Sequence, residues 1–305
     1  MTPRIRTTLA TLALWPLASI AFAQTPQAAP AAPAAKVLPH DLEDLIRKGR
    51  YGQIKISPGG EYYAATVRLE RKTSLAIVGR ADGKVISTMH IPGDQSIVHD
   101  FWWVSDKRLL LSAATQMGEL EMPQLTGDLY AVNFDGTRGG ILVGQSVQSE
   151  GPKTRIQSRP VEAVAAMLLD SLPANDDDVI IHVEPFHDDP FARAERMDVV
   201  TGRRVTLAHA PIRNASFSTD NAGNVRFAWG RDEQNMRRLY HRPAAGGDWA
   251  LVADDAKGGM QVPLGFSPDD RIAYLHVEMP EGPDAVVAWD IASGTRTEVA
   301  RDDNV

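Results

Sequence analysis

The residues of this chain with the most chemistry in them gather around His182. His182-Val183-Glu184 sets an imidazole and a carboxylate two positions apart, and His187, Asp188 and Asp189 follow just beyond. On a strand, positions i and i+2 share a face, so His182 and Glu184 could both reach one cation, zinc being the ion that suits them. The same pattern describes a solvent-facing strand end that runs into an acidic loop. We carry that second reading forward and expect no metal. Asp176-Asp177-Asp178 lacks the spacing and the glycine of a calcium loop, so it reads as a solvated turn. Asn214-Ala215-Ser216 matches a glycosylation sequon and receives no weight.

Nucleophiles are the next chemistry to test. A serine hydrolase elbow needs glycines on both sides of a strained serine, Gly-x-Ser-x-Gly. The chain has no such motif: Gly144-Gln145-Ser146 continues as Val147-Gln148, in a polar stretch. With no cysteine in 305 residues, thiolate catalysis, cysteine-ligated zinc and disulfides all drop out. Neither a P-loop nor Gly-x-Gly-x-x-Gly after a strand is present. No catalytic residue and no cofactor is therefore expected. The net charge of −7 argues against a nucleic-acid partner, because a phosphate backbone repels an acidic surface.

The elements that must position these residues are strands. The composition, 43% hydrophobic and 23% charged, is that of a globular protein. After Gly49 come short runs of β-branched, aromatic and aliphatic residues, broken by Gly, Asp, Asn and Pro every eight to twelve residues. Only Val161 to Leu169 fits helix and strand equally well. A unit recurs, consisting of an apolar run, a Ser-Pro-Asp-Gly-like turn and a second apolar run. Its clearest copies are Ile54-Lys55-Ile56-Ser57-Pro58-Gly59-Gly60-Glu61-Tyr62 and Leu264-Gly265-Phe266-Ser267-Pro268-Asp269-Asp270-Arg271-Ile272. The turn serines fall at 57, 105, 171, 218 and 267, in steps of 48, 66, 47 and 49, and the long step holds the polar stretch Gly144 to Pro160. Out of phase with them run Asp82-Gly83, Asp135-Gly136, Thr201-Gly202, Gly246-Gly247 and Ser293-Gly294, which supply the positive φ of tight hairpins.

Two hairpins per ~48-residue unit make one four-stranded blade, and such blades must stack about an axis to bury their faces. The expected fold is all-β, a β-propeller with five blades at about 51–92, 98–146, 161–210, 213–254 and 262–301. Serines, aspartates and glycines of these motifs are assigned to turn chemistry. Trp102, Trp103, Phe217, Trp229, Phe266 and Trp289 are assigned to packing between blades.

Ahead of the repeats, Arg4 and Arg6 precede an apolar run from Leu9 to Ile20 and a small-x-small site, Ala21-Phe22-Ala23. This is the pattern of a secretory signal over residues 1–23. The run is too short to span a bilayer and contains Pro16. A periplasmic or secreted location is expected, with no membrane association after cleavage at Gln24. Residues 24–38 form an Ala/Pro-rich tether. Residues 39–50 form a short helix capped by Asp41, with Leu42, Leu45 and Ile46 on one face.

The run Tyr51-Gly52-Gln53-Ile54-Lys55-Ile56-Ser57-Pro58 through Ala65 resembles the start of secreted bacterial members of the prolyl oligopeptidase family, of the dipeptidyl or acylaminoacyl peptidase type. Phe101-Trp102-Trp103-Val104-Ser105-Asp106-Lys107-Arg108-Leu109 and Gly127-Asp128-Leu129-Tyr130-Ala131-Val132-Asn133 carry the resemblance further, over about residues 40–305. TolB-type propellers share the Ser-Pro-Asp-Gly turn. The resemblance implies a propeller of seven or eight blades set over a separate hydrolase domain bearing Ser, Asp and His. The five blades here then read as an incomplete ring ahead of that domain. No catalytic residue of the family maps onto this chain, and Glu119-Leu120-Glu121 is not assigned the substrate-amine role of the dipeptidyl peptidases. Two functions follow: a non-catalytic propeller that gates and positions peptide substrates for an exported serine peptidase, or a stand-alone periplasmic propeller that binds a protein or peptide. An incomplete ring would leave apolar faces bare on its first and fifth blades, around Tyr62–Val67 and Val286–Trp289.

Overall fold

A computed structural model describes the chain at residues 49–69, 72–118, 121–146, 162–186, 191–256 and 258–302. The segments expected as export signal, tether and short helix up to residue 48, together with Glu119, Leu120 and His187–Asp189, lie outside these residues. Twenty strands are described, and no helix. Among the described residues no helix is long and apolar enough to cross a membrane.

Each repeat unit folds into one antiparallel sheet with its strands in sequence order. The first sheet holds β1 (Tyr51–Ile56), β2 (Tyr62–Arg68), β3 (Thr73–Gly79) and β4 (Val85–Met89). The second holds β5 (Ser96–Ser105), β6 (Arg108–Thr115), β7 (Gln124–Asn133) and β8 (Gly140–Val143). The third holds β9 (Val164–Asp170), β10 (Asp178–Pro185), β11 (Arg193–Asp198) and β12 (Arg204–His209). The fourth holds β13 (Ser216–Thr219), β14 (Val225–Arg231), β15 (Arg237–His241) and β16 (Ala250–Asp254). The fifth holds β17 (Gln261–Phe266), β18 (Ile272–Val277), β19 (Ala285–Asp290) and β20 (Arg296–Arg301). The five-sheet, all-β architecture expected from the repeats is present. The ambiguous stretch near residue 165 is strand, paired along β10 from Val164 to Asp170.

Turn chemistry sets the register. In the first sheet the Ser57 hydroxyl accepts the backbone N–H of Tyr62 at 3.2 Å, and in the fifth the Ser267 hydroxyl accepts that of Ile272 at 3.0 Å. Each buried serine thereby fixes where the next strand begins, which makes Tyr62 and Ile272 equivalent positions. At the second hairpin of every sheet a glycine takes positive φ: Gly83, Gly136, Gly202, Gly246 and Gly294. A side chain there would be strained.

Consecutive sheets pack face to face. The first strand of one sheet lies against the first strand of the next at three of the four junctions, and β7 lies against β9 at the remaining one. Four apolar clusters fill the junctions, one for each consecutive pair of sheets. Ala64, Leu75, Ile77, Phe101, Leu109 and Leu111 fill the first; Leu110, Leu129, Val179 and Ile181 belong to the second. Among the described residues no cluster joins the fifth sheet to the first. The strands buried on both sides read as unbroken apolar runs for this reason; β10 carries Val179-Ile180-Ile181-His182-Val183, all buried.

Candidate functional site

Among the described residues, those singled out by the sequence do not converge. His182 is 8% exposed and sits at the junction of the third and fourth sheets, its ring 5.6 Å from Phe217. Burial pulls its pKa below the usual histidine value, and the Glu184 carboxylate opposes that pull. It is a packed, neutral imidazole in an apolar seam. Among the described residues no group of three or more His, Asp and Glu is placed to hold a metal. Asp177 and Asp178 belong to a turn in which the Asn175 side-chain oxygen accepts both their backbone N–H groups, and Asp178 pairs with Arg196 at 2.7 Å.

Turn serines 57, 105 and 267 are likewise committed. The Ser267 hydroxyl donates to Asp269 at 2.6 Å, and that bond with the N–H of Arg271 keeps Asp269 below the ordinary carboxylate pKa. The Ser105 hydroxyl accepts the N–H of Lys107. Ser146, the nearest approach to a nucleophile motif, donates to the buried Asp128 at 2.6 Å. The six aromatic residues assigned to packing all lie in or against the junction clusters.

What sequence reasoning missed is a polar tie at every junction. At the first, the Lys55 ammonium donates to Asp100 at 2.6 Å and to the Phe101 carbonyl at 2.5 Å, over the Phe101 and Trp102 rings. The Trp103 indole N–H returns a bond to the Lys55 carbonyl. At the second, buried Arg108 donates twice to the Val199 carbonyl (3.1 and 2.8 Å) and also to Asn133 and the Arg138 carbonyl. At the third, the Thr219 hydroxyl donates to Asp170 at 2.7 Å. At the fourth, Asn221 donates to Asp270 and the Ser267 carbonyl. The separations of the turn-to-turn bonds, 47 for Gly59 to Asp106 and 49 for Thr219 to Asp170 and Asn221 to Asp270, match the repeat step. That match was the available signal.

Two charged clusters add to these ties. Glu162 and Glu195 share Arg193 and Arg204 in a closed four-membered network with contacts of 2.6–3.1 Å. Burial works against the charge of Glu162, but the hydrogen bonds from the two arginines outweigh it and hold its pKa low. In the fourth sheet, Arg226 pairs with Asp220 at 3.0 Å and donates toward His241 Nε2 at 3.3 Å. Burial, then the Arg226 charge, pushes His241 down to about 4. Its neutral ring packs on Phe227 and Trp289. These groups are structural, and two groupings of exposed apolar side chains lie apart from them.

The first place is the end of the sheets where the second and third strands connect. There Leu69, Met117, Met122 and Phe186 are exposed on the first three sheets, Met122 to 86%. The second is the outer face of the first sheet. Ile54 opposes Ala65 and Ile56 opposes Tyr63 across the β1–β2 pair, and Tyr63 opposes Val78. Directly opposed residues share a face. Ile54, Ile56 and Val85 there are 61%, 50% and 62% exposed. Tyr62 and Ala64, by contrast, face the second sheet, and Trp289 is buried against the fourth. The bare apolar face is thus the Tyr63 side of the first sheet, while Val286 and Ala288 on the fifth are half-buried.

No protein-family model matches the chain, and no curated protein matches it in sequence. Solved structures do match its fold. A prolyl endopeptidase aligns with a TM-score of 0.52 at 9% identity, over 84% of this chain and 37% of its own length. An acylaminoacyl peptidase of Pyrococcus horikoshii aligns with a TM-score of 0.46 at 12% identity, over 83% of this chain and 39% of its own. A TolB-type protein of Agrobacterium tumefaciens aligns with a TM-score of 0.38 at 12% identity, over 82% and 80%. Peptidase propeller domains and TolB-like propellers are therefore both among its structural neighbours, and the five sheets have a propeller-like arrangement.

Proposed function

We propose that this chain is the non-catalytic propeller portion of an exported serine peptidase, admitting and positioning peptides that a separate catalytic domain cleaves. The observation that carries this reading is the coincidence of the peptidase-like turn variants with the sheet junctions. Trp103, Val104 and Arg108 of the second repeat, and Leu129, Ala131 and Val132 of its second hairpin, are the residues that pack or tie one sheet to the next. Acyl transfer needs a serine, a base and oxyanion donors in one place. Ser57, Ser105 and Ser267 take part in turn bonds, and the proposal draws the nucleophile from the separate catalytic domain.

Two measurements test the reading. Fluorophosphonate treatment of the purified chain is expected to label no serine; stoichiometric labelling of any one overturns it. The reading frame of the gene beyond codon 305 is expected to run on into a Gly-x-Ser-x-Gly segment, and a stop there refutes the peptidase assignment. Export belongs to the same proposal and rests on Arg4, Arg6, the Leu9–Ile20 run and Ala21-Phe22-Ala23. N-terminal sequencing of exported material should begin at Gln24.

A stand-alone propeller that binds a protein or peptide is the second reading. The exposed Met117, Met122 and Phe186 at the loop end favour it, since flexible apolar side chains adapt to partner surfaces.

A further inference from the structure

We infer that the seam between the fourth and fifth sheets is a proton-operated latch, which protonation of His241 releases ahead of the other junctions. His241 on β15 opposes Phe227 on β14, so both rings share the face that meets the fifth sheet. From the fifth sheet, Trp289 meets the imidazole edge-on at 5.1 Å and lies 5.9 Å from Phe227. Phe266 lies 5.6 Å from Phe227. The pairing of β13 with β14 slips at Arg226, the residue left over between Val225 and Phe227, and a bulge of this kind re-aims a side chain. Its guanidinium lies over the Phe266 ring at 5.3 Å. His241, Phe227 and Arg226 are thus the grip of the fourth sheet on two aromatic rings of the fifth.

Hydrogen bonding fixes the charge state in which that grip exists. Arg226 Nη2 approaches His241 Nε2 at 3.3 Å, and a guanidinium can only donate. Nε2 is therefore the acceptor, and the ring is neutral. A second proton would have to enter at Nε2, against an N–H and a positive charge. The charged groups around it do not relieve that clash. Asp220, in the turn ahead of β14, is already held by Arg226 Nη1 at 3.0 Å and by the backbone and side chain of Asn224. Arg296 of β20 lies over Trp289 and adds positive charge. Arg242, next along β15, donates to the Leu207 carbonyl and lies over Trp249. Ala250, which opposes His241 on β16, carries no charge. The imidazole is half-buried, so a protonated ring has a way out to water, and in leaving it gives up Trp289 and Phe227. The open seam binds a proton that the closed seam excludes, so acid favours the open form. The ties of the first and second junctions, Lys55 to Asp100 and Arg108 to Val199, contain no imidazole. His182, at the third, faces the pull of a carboxylate, Glu184, in place of a guanidinium.

Hydrogen exchange of the full chain, read by mass spectrometry at pH 7 and pH 5 and corrected for intrinsic rates, tests the latch. Opening at β18 and β19 is expected to rise on the order of tenfold between the two conditions, and opening at β6 and β7 to stay nearly level. Two variants remove the proton site in different ways. His241→Phe keeps a ring against Trp289, and His241→Gln keeps an acceptor for Arg226. Both should abolish the acid response at β18 and β19. They disturb the packing differently, so either one that folds at pH 7 decides the matter. A wild-type chain with no acid response at β18 and β19 overturns the proposal. Equal acceleration in all five sheets also overturns it, because the whole fold would then be loosening together. A response that survives in a folded variant assigns the proton to another group and overturns it as well.

Discussion

The first and third sheets are built from the same repeat and differ in what covers them. In the third, β10 is enclosed on both sides: Val179, Ile181 and Val183 pack toward the second sheet, and Ile180 and His182 lie toward the fourth. In the first, Ala64 and Ile77 are buried against the second sheet while Ile54 and Ile56, on the other face, stand in solvent. The turn chemistry of the repeat defines the strands, and the neighbour decides what burying them is worth. An isoleucine on the face toward the preceding sheet is core in one place and surface in the other.

The largest expected effect is at the enclosed sheet. Ile181→Ala removes a fully buried side chain from the second junction and should cost about 3 kcal/mol, because the lost transfer energy is joined by the cavity left behind. Chemical denaturation measures it. A loss below about 1 kcal/mol would mean the third sheet is not held between its neighbours as described. Next comes Arg108→Met, which keeps the buried volume but strips both hydrogen bonds from the Val199 carbonyl. An unsatisfied buried acceptor costs about 1–3 kcal/mol. We expect about 2 kcal/mol, with the second and third sheets loosening first in hydrogen exchange.

The pH dependence comes from the fourth sheet. His241 has a folded pKa of about 4, lowered first by burial and then by the Arg226 charge, while in the unfolded chain it titrates near 6.5. Between those values the unfolded state binds the extra proton, so stability is complete above about pH 6.5 and falls as the pH drops toward 4. His182 shifts in the same direction and adds to the loss. The full shift would be worth about 3 kcal/mol, and because the ring is only half-buried, solvent screening reduces the expected contribution of His241 to about 2 kcal/mol over that window. A His241→Phe variant should show a flatter stability profile between those limits, and an unchanged slope would contradict the buried neutral imidazole.

The repeat made most of this architecture legible. Spacing of the Ser-Pro-Asp-Gly-like turns located all five sheets, since a serine bonded to the next strand's N–H and a positive-φ glycine are local requirements that leave local marks. Burial sidedness was harder to read. The stretch Tyr62–Val67 is apolar on both faces apart from Thr66, yet Tyr62 is inside and Tyr63 outside, because only pairing to β1 and β3 decides which face meets the second sheet. Arg108 was read as part of a motif and not as a tie, because its partner, Val199, lies 91 residues away. His182 belongs to the core because its strand is buried on both sides, while Glu184 beyond it is half-buried and His187–Asp189 lie outside the described residues.

The smallest effect is the sharpest test of the comparison. Ile54→Ala is the same chemical change as Ile181→Ala, made on the same kind of face, but at a side chain 61% exposed. Surface truncations of this sort stay within about 0.5 kcal/mol. The two substitutions should therefore differ by at least about 2 kcal/mol. A gap that is closed would mean that the outer face of the first sheet is covered by another part of the same chain.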